Sequence, residues 1–254
     1  MKRYTLLICL FAVMGWGTSH AQDNGQTWFE QANAVYNAGS YDSALMLYEK
    51  ILNIGEESVP LYYNMGNAYY KKRDYPMAIY YYEKALKLDP SNEEVKTNLA
   101  IANLAIVDKI EPMPQSFFVR GWQRVRSMLS GDRWAWCSIV AFALLLLGLF
   151  LFLRSRKVGL RKLGFFTGVI FLMVFVLSII FAIQLKQVSE TQNQAIVVTP
   201  TVTVKSTPTE VTVDLFVLHE GTKVTILERN DNWCKIKIAN GSIGWLETDA
   251  MREF

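Results

Sequence analysis

Histidine and cysteine are scarce in this chain of 254 residues, which holds two of the first and three of the second. Beyond the N-terminal segment the one histidine is His219, and the HEGTKV around it fits a turn between strands better than the base of a Ser/His/Asp triad. Cys9, Cys137 and Cys234 fall in three different kinds of segment, so neither a disulfide framework nor metal-ligand spacing is expected. The nearest approach to a glycine-rich loop is GSIG near residue 241, with no lysine and no following helix, which excludes a phosphate-binding loop. No catalytic residue, metal or cofactor is expected, and the chain reads as a non-enzyme. The formal net charge is +3. It arises beside two apolar runs, so it speaks for topology and lipid contact, and nucleic acid is not an expected partner.

Charge is missing altogether from residues 134–153 (WAWCSIVAFALLLLGLFLFL). At about 1.5 Å per helical residue this run spans roughly 30 Å, the thickness of a bilayer's hydrocarbon core. Residues 163–185 form a second such run. Neither contains Asp, Glu, His, Lys or Arg, which argues against a transporter or proton pump. Gly164 and Gly168 make a GxxxG spacing, a weak pattern that recurs by chance. Between the runs lies RSRKVGLRK, residues 154–162, with five basic residues. Short cytoplasmic loops carry the Lys/Arg excess, so this loop is expected in the cytoplasm and the hairpin in the inner membrane. Everything before and after the hairpin then lies together in the periplasm. Residues 1–21 agree: Lys2 and Arg3, a short apolar run and Ser19-His20-Ala21 have the layout of a cleavable secretory signal.

Residues 22–110 carry a repeat of period 34. Ala32 recurs as Gly66, Tyr41 as Tyr75, Ala44 as Ala78, Tyr48 as Tyr82 and Asn64 as Asn98. Small residues fall where paired helices must approach closely, and aromatics fill the space beside them. These positions resemble the tetratricopeptide repeat family, most clearly over residues 59–92. A last helix, opened by Ser91 with Glu94 as a capping box, is expected to close the array as a solvating cap. The resemblance implies a partner-binding groove lined by each unit's first helix. Asn33 and Asn67 share one repeat position there, Tyr36 and Tyr70 another. The amides suit a ligand's backbone and the tyrosines offer rigid contact area. The same four residues also suit a purely structural role between repeats.

Residues 115–130 place Phe118, Trp122, Val125 and Leu129 at helical spacing among Arg120, Arg124 and Arg126. This juxtamembrane segment suits a helix in the lipid headgroup layer, or equally a linker packed on the repeats. From residue 194 to 254 the chain turns to short β-branched runs, with strands expected at 196–198, 201–205, 223–227, 233–238 and 242–246. Asn240-Gly241 marks a hairpin. The pieces TVTVKSTP, HEGTKVTIL, NWCKIKI and GSIGWL resemble a bacterial SH3-like barrel, with Trp233 and Trp245 at its usual aromatic positions.

The expected fold is thus a multidomain membrane protein: an all-α tetratricopeptide solenoid, a two-helix transmembrane hairpin and an all-β SH3-like barrel. That order, with FVLHEGTKV after TVTVKS, resembles the BatE family of the Bat aerotolerance operon of Bacteroidetes. The resemblance implies partners among other Bat-type proteins and membrane proteins with von Willebrand A domains, and indirectly a MoxR-type ATPase. The other reading is a peptidoglycan-binding anchor that recruits a cell-wall enzyme.

Overall fold

The computed structural model describes residues 19–114, 116–190, 193–209 and 211–254. The signal expected over 1–21 therefore lies outside the described residues except at its last three.

Five helices build the repeat array: α1 (Ser19–Asn37), α2 (Tyr41–Asn53), α3 (Val59–Lys71), α4 (Tyr75–Leu88) and α5 (Glu93–Ala105). Their starts are written locally. Ser58 Oγ accepts from the Leu61 N–H at 3.3 Å and Asp74 Oδ1 from the Met77 N–H at 3.2 Å, each followed by a proline in the first turn. Helix α5 is capped by Asn92, which accepts from the Val95 N–H at 3.0 Å, and not by Ser91 as expected; Ser91 is engaged by Asp89 instead. Nor is α5 a purely solvating cap, because Ile101 and Leu104 stay exposed on it.

The small residues of the repeat do the packing work expected of them. A Cβ added to Gly66 would stand 2.5 Å from Tyr82 Cε1, so the ring of α4 lies directly on the α3 backbone. The link between paired helices also repeats. Gly39 and Arg73, which are 34 positions apart, both adopt left-handed backbone, with φ of 82° and 64°. Each N–H bonds the carbonyl three residues back, Tyr36 or Tyr70, and the next N–H reaches Val35 or Tyr69. Arg73 meets this geometry without glycine's freedom.

Helix α6 (Phe117–Arg126) leads into the hairpin, α7 (Gly131–Arg154) and α8 (Val158–Glu190). Both hairpin helices are long and apolar enough to cross a membrane. Their side chains face outward, Phe150 at 61% exposure and Leu153 at 73%, which no core helix of a water-soluble protein would tolerate. The nine-residue basic loop contracts to a turn over residues 155–157, its other members extending the helices. The GxxxG spacing sits at the helix crossing after all. A Cβ on Gly148 would lie 2.9 Å from Gly168 N, and one on Gly164 would lie 2.6 Å from Gly148 O. Past the second apolar run the helix continues, α8 running on to Glu190.

Seven strands follow: β1 (Gln194–Val197), β2 (Thr201–Lys205), β3 (Asp214–His219), β4 (Lys223–Asn230), β5 (Trp233–Lys237), β6 (Ile243–Glu247) and β7 (Met251–Glu253). They form one antiparallel sheet in the order β3-β2-β6-β5-β4-β1-β7. Strands β3 and β7 were not among those expected from the sequence. The Asn240-Gly241 hairpin is present, with Gly241 at φ 92° and its N–H on Ile238 O at 2.9 Å. Along β5, Cys234 and Ile236 point into the core while Trp233, Lys235 and Lys237 alternate outward.

Strands β1 and β7 lie against α4. Ile196 and Phe254 are buried within the repeat array's own apolar core, so the sheet and the array share it.

Candidate functional site

The groove residues form a ladder that repeats with the chain. Asn33 Oδ1 accepts from Tyr48 Oη at 2.6 Å and from Asn64 Nδ2 at 2.9 Å. One repeat later Asn67 Oδ1 accepts from Tyr82 Oη at 2.7 Å and from Asn98 Nδ2 at 2.9 Å. Each carboxamide oxygen therefore ties its own helix to the second helix of its unit and to the first helix of the next. Burial pushes the Tyr48 phenol up to about 12, which keeps it a donor at every physiological pH. On the oxygen side, both asparagines thus have the structural role between repeats that their positions also suited.

Tyr36 packs edge-on against Tyr41 at 5.4 Å, and Tyr70 against Tyr75 at 5.5 Å. Tyr36, Asn67 and Tyr70 come together around one open cleft of about 290 Å³, completed by Lys71, Asn98 and Ile101. Asn33 is not among its lining residues. Lys71 and Ile101 carried no pattern that marked them in the sequence. Lys71 adds a cation at the rim and Ile101 an apolar wall.

On the sheet, Trp245 pairs across the strands with Lys205 on β2 and Lys235 on β5. Lys235 Nζ lies 5.8 Å from the Trp245 ring centre and Lys205 Nζ 5.5 Å from that of Trp233. Trp245 is only 9% exposed, while Trp233 is half-buried. Of the two tryptophans, Trp233 is the more exposed residue.

With both geometries in view, comparison with protein families gives two matches. Residues 59–92 match the tetratricopeptide repeat, and residues 201–251 match the bacterial SH3 domain. No curated protein matches the chain. The first match covers α3 and α4; the second runs from β2 to the start of β7. Both are interaction modules that are typically non-catalytic.

The repeats and the SH3 domain are held together by a polar latch that the sequence reading missed. Asp108, just past α5, accepts from the His219 N–H at 2.7 Å and from Thr222 Oγ1 at 2.7 Å, and its other oxygen meets His219 Nδ1 at 2.8 Å. Burial alone raises the Asp108 pKa. The hydrogen bonds from His219 and Thr222 outweigh it and hold the carboxyl below its ordinary range. The hydroxyl bonds the carboxylate and not the imidazole, so this is no proton relay. Around the latch, Lys223 Nζ reaches Glu83 Oε2 at 2.7 Å, the Arg252 guanidinium lies 4.9 Å over Tyr80, and Phe254 meets Tyr80 edge-on.

Helix α6 leaves Phe117 at 76% and Phe118 at 84% exposure. Its other end is tied to the hairpin: Trp122 packs on Phe181 at 4.8 Å and donates to Gln184 Oε1 at 3.2 Å. Trp134 contacts Phe181 from another side at 4.9 Å and donates to Arg126 O at 3.0 Å. Helix α6 is thus fixed beside the hairpin's end with its first aromatics exposed.

Proposed function

We propose that the chain is a non-enzymatic, membrane-anchored adaptor that holds two periplasmic binding modules as one docked body. What supports this reading most is the latch at Asp108 together with the shared burial of Phe254, which join the tetratricopeptide array to the SH3 domain above a single hairpin. Basic residues Arg154, Arg156, Lys157, Arg161 and Lys162 at the hairpin's turn argue for that turn in the cytoplasm of an inner-membrane protein. The cleft of Tyr36, Asn67 and Tyr70, extended along the repeats by Asn33, is the surface for a partner's peptide segment. The module order, which resembles the BatE family, suggests that partner: a membrane protein with a von Willebrand A domain, in a Bat-type assembly coupled indirectly to a MoxR-type ATPase and serving aerotolerance or envelope stress.

The test is crosslinking in native membranes beside a Tyr70→Ser/Lys71→Glu variant, which alters the cleft while sparing the asparagine ladder. Recovery of von Willebrand A-type proteins with the parent and their loss with the variant supports the adaptor. An identical set of captured proteins contradicts the groove. A second reading has a specific observation behind it: Trp233 beside Lys205 suits a sugar ring and a wall-peptide carboxylate. Retention of the full chain on purified peptidoglycan, abolished by Trp233→Ala, would favour the wall anchor.

A further inference from the structure

Helix α5 closes the repeat array with one face uncovered. Its inner face is packed: Val95 and Ala102 are buried, and Asn98 Nδ2 bonds Asn67 Oδ1 at 2.9 Å and Tyr63 Oη at 3.1 Å, both on α3. On the outer face Ile101 is 45% and Leu104 77% exposed, with Ala100 open beside them. The repeat register says what this face is for. Ala100 follows Ala32 by two periods and Gly66 by one, and both of those are buried. At Gly66 the covering group is Tyr82, from the second helix of the same unit. The third unit lacks that second helix. Its register falls on residues 109–121, which hold Pro112 and Pro114 and place Ser116 where Tyr48 and Tyr82 stand. The segment is drawn to the SH3 domain instead: Ile110 packs on the sheet's core, and the Met113 N–H donates to Ala239 O at 3.0 Å.

The complete units show what such a face takes. Two helices joined by a short link run antiparallel, and each brings a small residue with a large one four positions on. These are Gly66 with Tyr70 on α3 and Ala78 with Tyr82 on α4. Helix α5 has the same spacing in Ala100 and Leu104. When two α5 helices pair antiparallel about a two-fold axis, Leu104 of each copy meets Ala100 of the other. The face is therefore complementary to itself. Its polar neighbour Thr97 is already committed within the helix, donating to Glu93 O at 2.8 Å. The hairpins favour a second copy further. Two chains anchored in one bilayer present α5 at the same height, and confinement to the membrane raises their effective concentration, so a short apolar face suffices.

We propose that α5 pairs with α5 of a second copy of this chain, joining two repeat arrays into one continuous stack through Ala100, Ile101 and Leu104. The pairing continues the packing between repeats. It does not depend on what enters the cleft of Tyr36, Asn67 and Tyr70, whose lining excludes Leu104. For the test, two full-length chains with different tags are co-expressed, one Ala100→Cys and the other Leu104→Cys, both with Cys137→Ser. Each such pair keeps its second Leu104–Ala100 contact. Mild oxidation of native membranes should join the two tags at least about tenfold better than Met46→Cys on α2 joins two copies. Leu104 is mostly exposed in the single chain, so Leu104→Glu leaves the fold intact. It should weaken the dimer about tenfold or more, read as energy transfer between labelled full chains diluted in phosphatidylcholine vesicles. Three results overturn the self-pairing: crosslinking no better than with Met46→Cys, energy transfer unchanged by Leu104→Glu, or a disulfide from position 104 that joins only a different protein.

Discussion

Asn67 shows how a repeat position becomes a structural bond. Its Oδ1 accepts from the buried Tyr82 Oη and the half-buried Asn98 Nδ2, donors on different helices. Asn67→Ala leaves Tyr82 Oη without its acceptor, while Asn98 Nδ2 keeps its bond to Tyr63 Oη, and is expected to destabilise the chain by about 1–3 kcal/mol in chemical unfolding; a loss under about 0.5 kcal/mol would show that water replaces the amide. Arg73 is the opposite case, a residue whose replacement should help. Its left-handed backbone suits glycine, which occupies the equivalent position 39, so Arg73→Gly is expected to stabilise by about 1 kcal/mol. Asp108 adds a pH dependence. Its carboxyl is held below the ordinary 3.8, so its contribution is complete above that value and is lost as pH falls through the lower folded value. Thermal stability of the parent should exceed that of Asp108→Asn from pH 7 to 5, and the gap should close only below about pH 4. A gap unchanged at pH 3 would remove Asp108 from the latch. These residues were unequally legible in the sequence. The period of 34 marked Asn33 with Asn67 and Tyr36 with Tyr70, because repeat register is written in the chain. Where their oxygens go was not, since the partners stand 15 and 31 positions away. Asp108 and His219 are 111 positions apart with no pattern joining them.

Among the elements, the hairpin was legible from its lack of charge and the repeat helices from their small and aromatic positions. What escaped were short edge strands. In β3 the residues alternating with inward Phe216 and Leu218 are Leu215 and Val217, both exposed, so the strand has apolar residues on both faces and no visible alternation. Strand β7 has three residues and depends on β1 for its pairing. The helix crossing shows the complementary limit. A GxxxG spacing is too common to trust alone, and Gly148, the residue that meets it, lies on the other helix. A side chain at Gly148 has nowhere to go between two backbones. Gly148→Leu should therefore separate α7 from α8, costing about 1–3 kcal/mol in hairpin stability measured by detergent-titrated unfolding. Gly159→Leu, which meets nothing, should cost little.

At the scale of the whole molecule, the tetratricopeptide array and the SH3 domain behave as one body because they share a core and a half-buried carboxylate. Each module alone has a generic surface; docked, they stand in fixed relation to each other and to the membrane end of the hairpin. A partner that contacts both then meets a composite surface without ordering a flexible link. This account depends on both modules lying on one side of the membrane with the basic turn on the other. Labelling of introduced cysteines by a membrane-impermeant maleimide in cells with a permeabilised outer envelope tests it most directly, read against the parent with its buried Cys234 and hairpin Cys137. Met46→Cys on the repeats and Ile243→Cys on the SH3 domain should both label, and Ser155→Cys in the turn should stay protected until the inner membrane is opened. Labelling of Ser155→Cys alone, or of just one of the two modules, would contradict it.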